Sequence, residues 1–564
     1  MASREPVRGT ATWQPRGRGS MLAKPLVVAV FAAAALVASA GAGAEEQWRL
    51  RESEAMASVL RASGKTAGGV EAPPALRACL AARGGERPRD VGALFVLGNG
   101  TASEAVAGSD VALELRASED ALSTRRGLVC AAEFTVLLNS LSPPYWRVAG
   151  EVETHFDGTY TVHAELPRLA GRDWEVSITL EHLAFEHILP PVTRRKSWSR
   201  IGVGLHGSPF ALTVSPAQTE PELMDAGNGT ANATRVHRQL CLAGRHFSGA
   251  WHSTNTSFAK LTRAKWHSAA CLGDLRWRPF RCHPGPASDC LRERRIVFVG
   301  DSTQAHLAHA LCIHLGGLMG NYTTDMRLPD VQNPFAQCGG LQNGTRVEYY
   351  HAWGLRSKAV DFTFEKTFDE EWQPALDQMG KTLSSQDIVI LNSASHDASF
   401  TDLDDFEASV RRLARTVATA QLGFKGGPQV FWRSARPVAY SALGREFPYG
   451  LPPYGNTLTN ARLSLYSAIG LRAFRSEASS LKLAPIMELD DWDALRAAPE
   501  LSREHDIRHY TMFANRPFVN ALSDFLCLAT RHSLSSPPRT QVCQSFGEQF
   551  QGKKPKRRKR SSRG

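Results

Sequence analysis

None of the ten cysteines forms a Cys-x-x-Cys pair, which removes the usual zinc-ribbon and thioredoxin-type sites from consideration. The turn after the strand candidate 295–299, Gly300-Asp301-Ser302-Thr303, has neither the G-x-G-x-x-G nor the G-x-x-x-x-G-K-[S/T] spacing of a phosphate-cradling loop. No internal repeat is apparent. Basic charge is also missing where a nucleic-acid surface would need it. The net charge of +11 sits at the two ends, +4 in residues 1–24 and +8 in 553–564, "KKPKRRKRSSRG", so everything between is close to neutral. No nucleic-acid partner is expected, and residues 546–564 read as a basic disordered tail.

What is present points to a translocated glycoprotein. Residues 25–44, "PLVVAVFAAAALVASAGAGA", are uncharged, follow a basic flank and end in small residues. Two readings of 1–44 stay open: a signal peptide cleaved near Ala44, or a signal anchor of a single-pass type II membrane protein. Six of thirteen asparagines, Asn99, Asn228, Asn232, Asn255, Asn321 and Asn343, stand in Asn-x-Ser/Thr acceptors for N-glycosylation. An even cysteine set in such a compartment is expected to form disulfide bonds. The expected location is the secretory pathway, either the Golgi lumen or outside the cell.

Along the chain the texture changes several times. Residues 45–91 are rich in Ala and Arg with Gly and Pro breaks, and read as a stalk. Between 92 and 216, "DVALELRA", "EFTVLLNS", "GTYTVHAEL", "DWEVSITLE" and "PFALTVSP" alternate apolar and polar residues, the period of half-buried antiparallel strands in a β-sandwich. A polar, acidic linker occupies 217–235. From 236 to 545 apolar strand candidates at 295–299, 346–351, 387–391, 429–433 and 483–489 interleave with helical patterns near 303–315, 404–421, 457–479 and 516–530. That alternation predicts a three-layer α/β domain with a parallel sheet.

Reactive groups of such sheets collect at the carboxyl ends of the strands, where Ser302 stands. As the first residues of a helix, Asp301 and Ser302 are both good caps, so "VGDS" alone does not separate a cap from a nucleophile. A nucleophile needs a base, and the base an orienting carboxylate. "EHDIRHY" supplies both, because Asp506 and His509, three apart, can face one way. His306 and His309 share a helix face, yet no carboxylate or cysteine completes a metal site there, so no metal is expected. Trp251, Trp266, Trp277 and Trp353 could stack sugars or fill core.

"CLRERRIVFVGDST" with "WRPFRC" upstream, "QVFWRSARP" in the middle and "DIRHY" near the end resembles the PC-esterase group of the SGNH (GDSL-like) hydrolases. That group includes the trichome-birefringence-like O-acetyltransferases and the neurexophilin and PC-esterase domain proteins. The segment "HFDGTYTVHAELPRLAGRDWEVSITL" with "GSPFALTV" is similar to the filamin-type immunoglobulin-like repeat, which the latter proteins also place before their esterase-like domain. The resemblance implies Ser302 as nucleophile, Asp506 as orienter and His509 as base. It implies an oxyanion hole at Ser302 with a side-chain donor from "DIVILNSASHD", either Asn392 or His396, and a glycine that could be Gly339, Gly340 or Gly354. Ile507 replaces the glycine usual after Asp506, and Thr303-Gln304-Ala305-His306 replaces the usual Arg or Gln.

The expected activity is a carbohydrate O-acetyltransferase or acetylesterase working through a serine acyl-enzyme. No bound cofactor is expected; a transferase would draw on an acetyl-CoA-derived donor and, in a lumen, on a separate acetyl-donor transporter. A glycan or polysaccharide is the expected substrate, and the sandwich could take a protein partner. The alternative is a non-catalytic secreted or membrane-anchored binding protein built on an esterase-like scaffold.

Overall fold

The computed structural model describes residues 74–82, 89–98, 104–183, 201–217, 249–258, 261, 275–279, 291–319 and 335–355, then 368–439 and 459–502, with short gaps, and isolated positions from 509 to 526. The leader at 1–44, most of the stalk, the polar segment around 217–235 and the basic tail lie outside the described residues. Among the described residues no helix is long and apolar enough to cross a membrane.

The first half is a curled, mainly antiparallel sheet. Its strands are β1 (Phe95–Leu97), β2 (Glu104–Val106), β3 (Asp110–Ala117), β4 (Glu133–Ser140), β5 (Tyr145–Thr154), β6 (Thr159–Glu165), β7 (Asp173–His182), β8 (Val203–Gly204) and β9 (Phe210–Ser215). They run in the order β1-β3-β6-β5-β4-β7-β9-β2. The alternation read from sequence is the burial pattern observed: Val111, Leu113, Leu115 and Ala117 of β3 all point inward. The ten-residue β5 turns the corner of the sandwich, since its first half pairs with β4 and its second half with β6. Gly150 stands at the change of partner, where a Cβ would come within 2.7 Å of Val162.

Two further strands, β10 (Gly249–Ser253) and β11 (Leu275–Pro279), lie beyond the polar segment yet belong to this same sheet: β10 pairs with β5 through Trp251 opposite Arg147. The string Gly202-Val-Gly-Leu-His-Gly207 has G-x-G-x-x-G spacing, but it surrounds β8 and joins two strands rather than a strand and a helix.

The second half is a mixed sheet flanked by helices. It consists of β12 (Arg295–Gly300), β13 (Leu318–Met319), β14 (Phe335–Gly339), β15 (Arg346–His351), β16 (Ile388–Leu391), β17 (Gln429–Arg433) and β18 (Met487–Leu489). The order is β13-β14-β15-β12-β16-β17-β18. Strands β15, β12, β16, β17 and β18 are parallel, and β12 is buried along its whole length, as a sheet covered on both faces requires. The expectation of a wholly parallel sheet needs correction. Only residues 340–345 separate β14 from β15, too few for the crossover that parallel pairing demands, so β14 runs antiparallel and β13 antiparallel to it.

Helices Ser302–His314, Phe368–Gly380, Leu403–Leu422 and Asn460–Ser480 cover the sheet. A disulfide between Cys312 and Cys338 ties the first of these to β14, and one between Cys79 and Cys130 ties the helix Pro74–Ala81 to the sandwich. The described residues belong to one compact unit, and one apolar core runs from Cys130, Trp251 and Phe258 to Trp432, Leu501 and Tyr510. Of the six glycosylation acceptors, Asn255 is exposed on the turn after β10 and the other five lie outside the described residues.

Tyr160, which opens β6, holds the sandwich to the end of the helix Glu119–Val129. Its hydroxyl accepts from the Ala132 N–H at 2.8 Å and donates to the Val129 carbonyl, and burial pushes its ionisation far up. Tyr160→Phe should cost about 1–3 kcal/mol, because both backbone groups stay buried without a partner; urea unfolding monitored by circular dichroism measures it.

Candidate active site

The parallel strands follow the chain order 2-1-3-4-5, with β12 first, so the order reverses at β12. In open α/β sheets ligands are bound at the carboxyl edge of such a switch point, which here lies between the segments that leave β12 and β16. Gly300 ends β12 at φ +152°, and a Cβ on it would stand 2.3 Å from the Asn392 carbonyl oxygen, so this position admits only glycine. The Asn392 N–H donates to the Val299 carbonyl at 3.1 Å, which holds the two segments together.

Asp301, not Ser302, caps the helix Ser302–His314. Its carboxylate accepts from the Thr303 N–H at 2.9 Å and from the Thr303 hydroxyl at 2.6 Å. The Ser302 side chain is thereby left for another contact, and its Oγ lies 2.6 Å from His509 Nε2, 207 residues on. Asp506 lies outside the described residues. Tyr510, next to His509, is fully buried and donates from its hydroxyl to the Pro437 carbonyl at 3.1 Å.

Asn392 and His396, the two alternatives for a side-chain oxyanion donor, are both buried. Asn392 Nδ2 donates to the Arg433 carbonyl at 2.7 Å, which takes one of its two N–H groups. His396 lies on the helix Ala394–Phe400, near enough to Asp301 to act on its charge. Of the glycines, Gly354 follows β15, the parallel neighbour of β12, and abuts Asp397. Gly339 ends the antiparallel β14 instead, and Gly340 lies outside the described residues. Asp397 accepts from the Leu355 N–H at 3.0 Å, from the Thr401 hydroxyl at 2.8 Å and from the Ser393 hydroxyl, so it joins the loops after β15 and β16.

Beneath the serine lies a buried polar network. Gln304 accepts from Arg433 at 2.8 Å and donates to the Ile390 carbonyl at 2.9 Å. Arg433 and Arg436 both donate to Asp491 Oδ2, each at 3.0 Å, and Arg436 reaches on to Asn515. Burial, with Arg433 alongside, pulls Arg436 down to about 10 against the opposing pull of Asp491. Tyr349 bonds through its hydroxyl to the Gly300 and Asp301 carbonyls, at 3.0 and 3.1 Å, and to His351. His306, one turn after Ser302, is buried with its ring 5.0 Å from that of His509.

Sequence reasoning missed Arg433, Arg436, Asp491 and Tyr349 as neighbours of the site, and it gave Gln304 and His306, which it placed just after Ser302, no contact with His509 or Arg433. Two arginines inside "QVFWRSARP" and the acids of "ELDDWD" were the available signal, because charges placed in apolar runs need buried partners. Trp251 and Trp277 are core, packed edge to face at 5.8 Å, so they form no sugar platform; Trp266 and Trp353 lie outside the described residues. Among the described residues no group of histidines, cysteines and acids could hold a metal ion.

A serine and a histidine thus meet at the carboxyl edge of a mixed α/β sheet that follows a curled, mainly antiparallel sheet in the chain. No protein-family profile matches the chain, and no curated protein matches it. Among solved structures, an aryl esterase of M. smegmatis is similar at 18% identity and TM-score 0.25, covering 41% of this chain and 98% of that one. A carbohydrate acetylesterase from Sinorhizobium meliloti, Est24, is similar at 13% identity and TM-score 0.25, with the same coverages. The Lin-41 filamin domain aligns at 11% identity and TM-score 0.15, covering 22% of this chain and 91% of that domain. The assignment of the fold rests on strand order and register.

Burial favours the neutral acid at Asp301, but His396, Thr303 and Arg433 outweigh it and hold the carboxyl below its ordinary value. A depressed carboxyl stabilises the fold above its unfolded-state value, near 3.9, and that contribution is lost as pH falls through the folded value. Asp301→Asn keeps the cap and removes the charge. The variant should be less stable than wild type at pH 7, with the gap closing as the acid range is entered; urea unfolding across pH 7 to 3 would contradict this if the gap stayed constant.

Proposed function

We propose that the protein is a carbohydrate O-acetyltransferase or acetylesterase of the secretory pathway that works through an acetyl-serine intermediate. The carrying observation is the 2.6 Å approach of Ser302 Oγ to His509 Nε2 at the head of a helix. The resemblance of "VGDST" and "DIRHY" to the PC-esterase motifs supports the same roles.

In the proposed reaction Ser302 Oγ attacks the carbonyl carbon of an acetyl ester while His509 Nε2 takes its proton. Negative charge develops on the carbonyl oxygen. The Ser302 N–H and the positive end of the helix Ser302–His314 stabilise that charge, since the Thr303, Gln304 and Ala305 N–H groups are taken by Asp301, with the second Nδ2–H of Asn392 or the ring of His396 as the side-chain donor. The tetrahedral adduct collapses with loss of the donor alkoxide, which takes the proton from His509 and leaves acetyl-Ser302. An acceptor hydroxyl, from a sugar or from water, then gives its proton to His509 and attacks the acetyl group, and His509 returns that proton to Ser302 Oγ as the acetyl–Oγ bond breaks. Asp506 is assigned to hold the imidazole in the tautomer with Nε2 free and to stabilise the imidazolium. The network Gln304–Arg433–Asp491–Arg436 sets the floor on which these groups rest.

The choice between sugar and water lies in what the acceptor pocket admits, since both attack one intermediate. The full chain, supplied with an acetyl donor carrying labelled acetate and a panel of glycans, should pass label to a glycan or release it as acetate. Ser302→Ala and His509→Ala should each lower that rate by about a thousandfold or more. Label that reaches a glycan marks a transferase, label found only as acetate marks an esterase, and turnover unaffected by Ser302→Ala overturns the acyl-enzyme reading.

A further inference from the structure

We infer that Arg147, a residue of the sandwich, is a positioning residue for His509, so that the immunoglobulin-like sheet is part of the acetyl-transfer centre rather than an appended binding module. The inference rests on the acyl-enzyme reading above.

Arg147 lies on β5 at the edge where β10 adds to the sheet, and it is buried. Its Nε donates to Asn139 Oδ1 at 2.6 Å, which holds the stem within the sandwich. Its guanidinium then leaves the sheet: one terminal nitrogen donates to Glu500 Oε1 at 2.9 Å and the other to the Phe258 carbonyl at 3.4 Å, with the group 5.4 Å from the Phe258 ring.

Glu500 belongs to the short 3-10 turn Pro499–Leu501, whose Leu501 is fully buried. Ser502, the next residue after that turn, forms an antiparallel bridge with Tyr510, the neighbour of His509. One ion pair and one bridge therefore lead from the sandwich to the histidine. A parallel route supports the same segment: Trp251 Nε1 of β10 donates to the Ala494 carbonyl at 2.7 Å, and Tyr510 packs against the same short helix, Trp492–Arg496, with its hydroxyl 3.5 Å from the Leu495 carbonyl.

This placement has a chemical consequence. In the acyl-enzyme reading His509 Nε2 must stay on the line to Ser302 Oγ while protons pass between them. Misplacement of a reacting group by about 1 Å costs on the order of a hundredfold in rate. A guanidinium fixed at its stem is suited to anchoring the turn Pro499–Leu501, and through Ser502 the neighbour of His509, against the sheet.

The test is a double-mutant cycle on the full chain with 4-nitrophenyl acetate as the probe. Arg147→Met and Glu500→Gln should each lower kcat about tenfold or more, leave KM within about twofold, and preserve the fraction of chains that form acetyl-Ser302 in the burst. Arg147→Lys, which retains a donor to Glu500, should recover part of the loss. In a His509→Ala background neither substitution should change the residual rate by more than about twofold, because the group they position is gone. A loss that multiplies through in that background, or single variants with wild-type kcat, would overturn the inference while Ser302 and His509 dependence remained. Turnover indifferent to Ser302→Ala would instead sink the acyl-enzyme reading beneath it. Glu500→Gln preserves shape and carries the test if Arg147→Met does not fold.

Discussion

The whole site depends on one steric constraint, the passage of the β12 turn beneath the Asn392 carbonyl. Gly300 makes room for that oxygen and takes the backbone angle that an L side chain resists. The chain can then fall directly from a fully buried strand into a helix, with Asp301 as the cap and Ser302 as the first helical residue. Because the neighbouring aspartate accepts the bond from the helix N-terminus, the serine hydroxyl is spared for His509. The cap and the partner of His509 are separate residues here, and their adjacency places a hydroxyl at the positive end of the helix.

Around that turn charged groups lie in the interior, where the opposite charges offset part of the cost of desolvation. Asp301, Arg433, Arg436 and Asp491 are all buried, and the two arginines share one carboxylate. Each leaves a different element: the start of the helix, the end of β17, the loop beyond it and the loop after β18. The network therefore fixes the relative positions of strand ends that apolar packing alone would hold loosely. On the far side, Arg147 and Trp251 carry the same logic into the sandwich, so the two sheets meet through directional bonds as well as through a shared apolar core.

Much of the architecture was legible in the chain because its patterns have short periods. "DVALELRA" and "EFTVLLNS" are strands over the residues quoted, and the strand candidates at 346–351 and 429–433 match β15 and β17. β5 escaped notice because the start of "YWRVAGEVET" is buried on both faces, with Trp146, Arg147 and Val148 in succession inside, so no alternation marks it. β14 escaped because its role depends on a six-residue return, which decides direction only once β15 is known. For the site, the meeting of Ser302 and His509 followed from motif order, whereas Gln304, Arg433, Asp491 and Arg147 required the fold. Their partners come from distant parts of the chain, and no spacing rule joins them.

The central claim is that Ser302 is a nucleophile activated by His509. Treating the full chain with a fluorophosphonate, then mapping peptides by mass spectrometry, tests it most directly. The account predicts one covalent adduct, on the peptide that carries Ser302, formed rapidly by wild type and hardly at all by His509→Ala. An unmodified Ser302, or an adduct that forms equally fast without His509, would contradict it.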